Sequence, residues 1–82
     1  MHDLKTLPWY YEALVDGRKT FELRLNDRGF QVGDVLHLRE WEPDSGYTGR
    51  STKRRVKYIL SDWIGLKEGY ICMGLETYPK ET

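Results

Sequence analysis

The residues best placed to do chemistry lie in one short segment, Gly17-Arg18-Lys19-Thr20-Phe21-Glu22-Leu23-Arg24, where a lysine, a carboxylate and a guanidinium fall at the spacing Gly-x-Lys-x-x-Glu-x-Arg. Glu22 and Arg24 stand two apart, so on an extended strand they project to the same side. They either pair with each other or present a carboxylate acceptor beside a guanidinium fork. An ordinary surface salt bridge is the plainer outcome and contributes little to stability. As a site, the cluster offers cationic donors at Lys19 and Arg24 for a phosphate or a base edge, and an acceptor at Glu22 for an exocyclic amine or a ribose hydroxyl. Partial burial beside Arg24 would also displace the proton of Lys19, giving it the character of a base or nucleophile toward an amide carbonyl.

Other groups add to this or drop out. Five basic residues, Arg50, Lys53, Arg54, Arg55 and Lys57, crowd a segment that follows the acidic Glu40, Glu42 and Asp44. They form either a hairpin with cross-strand charge pairs or an anion-binding stripe that tracks a nucleic-acid backbone. Trp41 and Tyr47 flank the acidic turn and are candidates to stack on an unpaired base, with rim or core packing as the alternative. His2 and His37 have no metal-ligand spacing, and no Cys/His cluster or Gly-rich phosphate loop is present, so neither a metal nor a cofactor is expected. The lone Cys72, in the apolar run Tyr70-Ile71-Cys72-Met73-Gly74-Leu75, reads as a reduced, buried thiol acting as a small core hydrophobe.

The elements that must position these residues follow from local pattern. His2 to Leu7 alternates weakly and reads as a short strand. Pro8 suits the first turn of a helix, Tyr10, Tyr11, Ala13 and Leu14 recur at helical offsets, and Gly17 stands where a left-handed terminator belongs. From Thr20 to Leu25 the period becomes two, which places Phe21, Leu23 and Leu25 on a core face and Thr20, Glu22 and Arg24 on a polar, working face. The turn-rich stretch from Asn26 to Asp34 is anchored by Phe30 and Val32. Strands then run from Val35 to Trp41 and from Ser51 to Leu60, paired across a hairpin, the latter with Val56, Tyr58 and Leu60 on one face. Ser61 to Leu66 connects to a last strand, Gly69 to Tyr78, carrying Ile71, Met73 and Leu75.

The order β-α-β-β-β-β points to an α+β fold, a small mixed sheet curled into a barrel with one short helix packed at one end. An open α+β sandwich is the alternative. All of residues 1 to 82 belong to a single domain, since no linker divides them and nothing repeats. At this length the core must come from few side chains, and three Trp, six Tyr and two Phe supply the bulk for it without staples. Trp9, Tyr10 and Tyr11 are therefore assigned to the core rather than to an exposed protein-binding patch. Thirteen basic and thirteen acidic residues cancel, which excludes binding to nucleic acid by bulk attraction alone. No apolar stretch reaches membrane-spanning length, and His2-Asp3-Leu4-Lys5 lacks the order of a secretory signal, so a cytoplasmic monomer is expected.

The segment from Gly17 to Arg24 matches the G-x-K-x-x-E-x-R signature of ASCH (activating signal cointegrator homology) domains, and Phe30-x-Val32-Gly33-Asp34-Val35-Leu36 resembles the stretch that leads into a barrel strand of those domains. His2-x-Leu4-Lys5, Trp41, Tyr47-Thr48-Gly49-Arg50, Tyr58-Ile59-Leu60 and Gly69-Tyr70-Ile71 extend the likeness, toward a small bacterial and phage branch, over nearly the whole chain. The resemblance implies a PUA-like barrel and an RNA- or nucleotide-binding role, with Lys5, Lys19, Glu22, Arg24, Arg28, Trp41 and Tyr47 around the ligand. One branch of the family implies instead a small amidohydrolase acting on acetylated cytidine, with Lys19 as base or nucleophile. There the motif lysine works with a threonine, which this chain replaces by Glu22, and with a carboxylate from the later connector, for which Glu68 is the positional match. Thr20 shares a strand face with Glu22 and is the available substitute for the threonine. The departure at Glu22 favours binding over hydrolysis.

Overall fold

The computed structural model describes residues 1–79. In chain order it forms β1 (His2–Thr6), α1 (Pro8–Val15), β2 (Phe21–Leu25), β3 (Val35–Glu42), β4 (Gly46–Leu60) and β5 (Tyr70–Thr77). The five strands make one mixed sheet in the order β1-β3-β4-β5-β2, parallel between β1 and β3 and antiparallel elsewhere. The sheet curls into a half-barrel that does not close, so β1 and β2 remain its two edges. None of the helices in the described residues is long and apolar enough to cross a membrane.

Alternation fills the hollow of the half-barrel. Leu4 from β1, Leu36 and Leu38 from β3, Val56 from β4, and Ile71, Met73 and Leu75 from β5 form the buried cluster with Leu14 and Phe30. Helix α1 starts at Pro8 and contributes Tyr11 and Leu14, three apart on one face. Its last turn is held from across the sheet, because Arg54 donates to the Leu14 carbonyl at 2.9 Å and places a cation at the helix C-terminus. Trp9 and Tyr10 are exposed, against the assignment of all three helix aromatics to the core. Eight helical residues offer one narrow inward stripe, which Tyr11 and Leu14 occupy. In the loop before β3, Phe30 is buried but Val32 is not. The tight turn closed by Asp34 N–H on the Gln31 carbonyl leaves room for one anchor.

Two further expectations are corrected by sheet geometry. Val56 pairs with Leu75, but the register slips before Tyr58, which pairs with Gly74. The extra residue is a β-bulge, and a bulge flips the faces of all that follows. Tyr58 and Leu60 therefore point outward while Ile59 packs against the core. Cys72 lies between the inward Ile71 and Met73 and so faces out, half-buried rather than in the core.

Carboxylates tie the ends of the sheet. Glu40 is buried on β3 and accepts from Arg50 (2.9 and 2.8 Å) and from Thr48 (2.6 Å), while Arg50 also reaches Glu12 on α1 at 2.6 Å. The Arg50 guanidinium and then the Thr48 hydroxyl hold the Glu40 carboxyl below its ordinary range, and Arg50 is correspondingly a stronger cation than usual. Asp34 is likewise held low, first by the Gln31 backbone N–H and then by His2. A carboxyl depressed in the folded state stabilises fully above its unfolded pKa, near 4, and loses that contribution as pH falls through the lower folded value. Thermal melts are therefore expected to be insensitive to these two groups from neutral pH down to about 5 and to fall steeply below it. Glu40→Gln is expected to flatten the acid limb, and an unchanged acid slope in that variant would contradict the assignment.

Candidate functional site

The motif lysine is aimed by the end of the helix. Gly17 takes φ 86, a left-handed conformation that costs a glycine least. The chain then doubles back so that Lys19 N–H donates to the Ala13 carbonyl at 2.9 Å. From that turn Lys19 Nζ donates to the Phe21 carbonyl at 2.7 Å and to Glu22 Oε1 at 2.5 Å. Glu22 Oε2 accepts from Arg24 Nε at 2.9 Å. Arg24 extends past it to donate through Nη2 to the Lys5 carbonyl of β1 at 2.7 Å. Both oxygens of Glu22 are thus taken by opposite charges, as a buried carboxylate requires.

This arrangement inverts the faces expected for β2. Glu22 is 5% exposed, whereas Phe21, Leu23 and Leu25 look outward, Leu23 with 55% of its surface open. The hollow of the half-barrel is already filled from β1, β3, β4 and β5. At the gap beside β2 an inward apolar side chain would find no packing partner, whereas an inward carboxylate finds two cations. Glu22 is consequently far from the weak surface bridge of the plainer reading.

The gap itself is a cavity of about 580 Å³ between the end of β1, the start of α1 and β2. Of the residues expected around a ligand, Lys5, Lys19, Glu22 and Arg24 line it. Arg28, Trp41 and Tyr47 do not. Arg28 is used across the seam, donating to the Asp3 carbonyl at 2.6 Å. Trp41 lies under Lys5 Nζ, 4.6 Å from the ring centroid, and Tyr47 lies under the Arg39 guanidinium at 3.8 Å. Tyr47 borders a separate hollow of about 180 Å³ with His37, Arg39 and Ser51. There His37 bonds Asp3 through Nδ1 (3.1 Å) and Ser51 through Nε2 (2.9 Å). The order acid, imidazole, hydroxyl is that of a hydrolase triad. Ser51, however, is exposed within β4 opposite Arg39, where the β3–β4 register shifts, rather than held in an enclosed pocket.

Thr6, Leu7, Tyr10, Ala13 and Arg18 also line the cavity without having been expected there, as do Phe21 and Leu23, which the strand pattern assigns to the core. Tyr10 from α1 stands with its ring centroid 5.7 Å from Lys19 Nζ, Arg18 pairs with Asp16 at the mouth, and Thr6 ends β1. Thr6 is 3% exposed and its hydroxyl, sealed from solvent, has no hydrogen-bond partner among the described residues, an arrangement that costs roughly 1–3 kcal/mol. No sequence signal marks it, because its burial depends on the parallel pairing of Thr6 with Glu40. His2 lies away from the cluster, bonded to Asp34 at 3.0 Å. Thr20 and Glu68 are exposed and outside the cavity wall. The basic run is dispersed: Arg50 serves Glu40 and Glu12, Arg54 turns inward to α1, and Arg55 approaches Glu76 at 3.7 Å. Lys53, Arg54 and Lys57 of that run have no ionic partner among the described residues, Arg54 being spent on neutral acceptors.

Against known proteins, residues 1–75 match the model of a family described as a domain of unknown function, DUF3850. The chain is also similar to an uncharacterized 12.9 kDa protein in the GpA 3' region of Escherichia phage P2, with 33% identity over 75 residues. That match takes in 89% of this chain and 65% of the phage protein, so the chain spans just under two thirds of the relative's length.

Proposed function

The chain belongs to the DUF3850 family, and from the cavity beside its Lys19–Glu22–Arg24 cluster we propose that it binds RNA or a nucleotide-like molecule there. The likeness of Gly17 to Arg24 to the ASCH signature supports the same reading, and with it a kinship of the half-barrel to PUA-like barrels. A cytoplasmic location accords with such a ligand. The single observation that carries the proposal is the cavity of about 580 Å³ that sets an ion-paired polar wall against an aromatic ring. Its volume suits one nucleoside. Tyr10 supplies a face on which a base stacks. An ammonium has three N–H donors, and Lys19 commits two of them to Phe21 and Glu22, leaving one for a base edge or phosphate. Trp41 and Tyr47 lie outside this cavity and are not needed for a single nucleotide.

Titration of nucleoside monophosphates and short single-stranded RNA at low salt tests this reading. Tyr10→Ala and Lys19→Ala are each expected to weaken binding about tenfold or more, since stacking alone is worth roughly 1–3 kcal/mol per base. Equal affinity of wild type and both variants would contradict the proposal, as would no binding by wild type.

The amidohydrolase reading retains one observation in its favour, a lysine bonded to a carboxylate inside the same cavity. Glu68 is exposed outside the wall, so Glu22 would have to serve in its place. Incubation with acetylated cytidine separates the two readings: deacetylation lost in Lys19→Ala supports hydrolysis, and an unaltered substrate removes it.

A further inference from the structure

The apolar residues that β2 turns outward do not stand alone. Register sets them in rows across three strands. Tyr58, Gly74 and Phe21 form one row, Leu60, Cys72 and Leu23 the next, and Tyr70 with Leu25 a third. None of these eight positions bears a charge. The bulge after Val56 is what brings Tyr58 and Leu60 into the array, and bulges are a means of re-aiming side chains. At the rim, the β4–β5 loop adds Trp63 and Ile64, the latter 95% exposed, and carries Gly69 against Leu25. The opposite border is drawn by the Arg55–Glu76 pair.

An outer sheet face is ordinarily polar. A grid of this size without a charge is a surface that another apolar surface covers. From it we infer that this face of β4, β5 and β2 is the interface of a twofold homodimer, in which the same rows of a second copy pack face to face on these.

Five observations select a second copy over other occupants. The grid itself bears no charge, and Lys57 beside Gly74 is a single cation at its border, too few to hold a phosphate backbone, whose binding runs through several Lys and Arg. Its open apolar surface, with the loop residues, is on the order of 700 Å², close to the ~800 Å² per partner of a standard-size interface. A homodimer interface resembles a domain core cut in half, and a face of Leu, Tyr and Phe rows is self-complementary about a twofold axis. Gly74 leaves a notch between Tyr58 and Phe21, where a Cβ would stand 3.7 Å from Tyr58 Cβ and 3.8 Å from Lys57 Cγ, room for a side chain from the facing sheet. The formal net charge of zero removes the repulsion that would keep two copies apart.

Sedimentation equilibrium or light scattering up to about 100 µM is expected to give twice the 9.7 kDa of the chain. Tyr58→Glu and Leu60→Glu lie outside the nucleotide cavity and are expected to give the single-chain mass, with an unchanged circular dichroism spectrum and self-association at least a hundredfold weaker. Nucleotide titration of the same two variants should be unaffected, so failure of one proposal leaves the other standing. A wild-type protein of 9.7 kDa throughout the range overturns the inference and leaves the face to a different macromolecule. A dimer that survives both substitutions also overturns it, since the interface then lies elsewhere.

Discussion

Replacing Glu22 with alanine is expected to lower the free energy of unfolding by about 3 kcal/mol, the lower end of the cost of breaking a buried ion pair from one side. The carboxylate is 6% exposed and binds two cations, Lys19 at 2.5 Å and Arg24 at 2.9 Å. Without it they face each other at the cavity wall with no anion between them. Lys19 and Arg24 retain 14% and 27% exposure, so water recovers part of the loss, which argues against the top of the range. Set against the roughly 5–15 kcal/mol that holds a domain together, even this is a large fraction. Glu22→Gln keeps one acceptor and is expected to cost less. The double replacement Lys19→Met with Glu22→Leu removes the Lys19–Glu22 pair together and should recover part of the stability, because apolar substitutes for a buried pair are often neutral while Arg24 is left without its carboxylate. It should not recover nucleotide binding. Urea denaturation of the three variants checks the ranking, and a Glu22→Ala protein as stable as wild type would show the cluster to be a solvated bridge after all.

The second large effect is expected at the seam of the half-barrel. No backbone ladder joins β1 to β2. In its place Arg24 donates to the Lys5 carbonyl and Arg28 to the Asp3 carbonyl. Asp3 and Lys5 stand two apart on β1, so their carbonyls leave the strand on the same edge. Both are edge acceptors that β3 does not use, and charged donors satisfy them at roughly 1.5–3 kcal/mol each when sheltered. Both contacts reach solvent, so the double variant Arg24→Ala/Arg28→Ala is expected to lose about 3 kcal/mol in all. Amide exchange should quicken across β1 while β4 and β5 keep their protection. Arg24→Lys is not expected to rescue, since an ammonium on a flexible stem does not span Glu22 and the Lys5 carbonyl at once. If the double variant melts with wild type, the seam is held by something else. The test also separates two roles that the sequence merges in Arg24. Its guanidinium is committed to Glu22 and Lys5, which leaves Lys19 and Tyr10 as the groups free to meet the proposed ligand.

Strand alternation, the helix stop at Gly17 and the hairpin signals were sufficient for the element order and for the inward sets Leu36/Leu38 and Ile71/Met73/Leu75. These positions are governed by period, and period is local. The site was legible in part: the motif spacing places Lys19, Glu22 and Arg24 together because two of them share a strand face and the third leads into it. Thr6 and Tyr10 were not legible, because they reach the cavity from elements that only the curl of the sheet brings alongside β2. Arg28, Trp41 and Tyr47 illustrate the converse. Their types suit nucleic acid, but type does not say that Arg28 is spent on a seam or that Trp41 and Tyr47 lie on the outer side of β3 and β4.

The segment from Gly17 to Arg24 marks the division most clearly. Its sequence determined that a strand of period two would carry a cation–carboxylate–cation cluster opposite a row of Phe21, Leu23 and Leu25. Which row is buried is not a property of the strand. Alternation is symmetric under exchange of the faces, and only the tertiary structure decides between them. Here the hollow was filled by four other strands, a gap faced β2, and two cations stood ready to neutralise Glu22. The carboxylate therefore went inside, and the hydrophobic row was left facing outward.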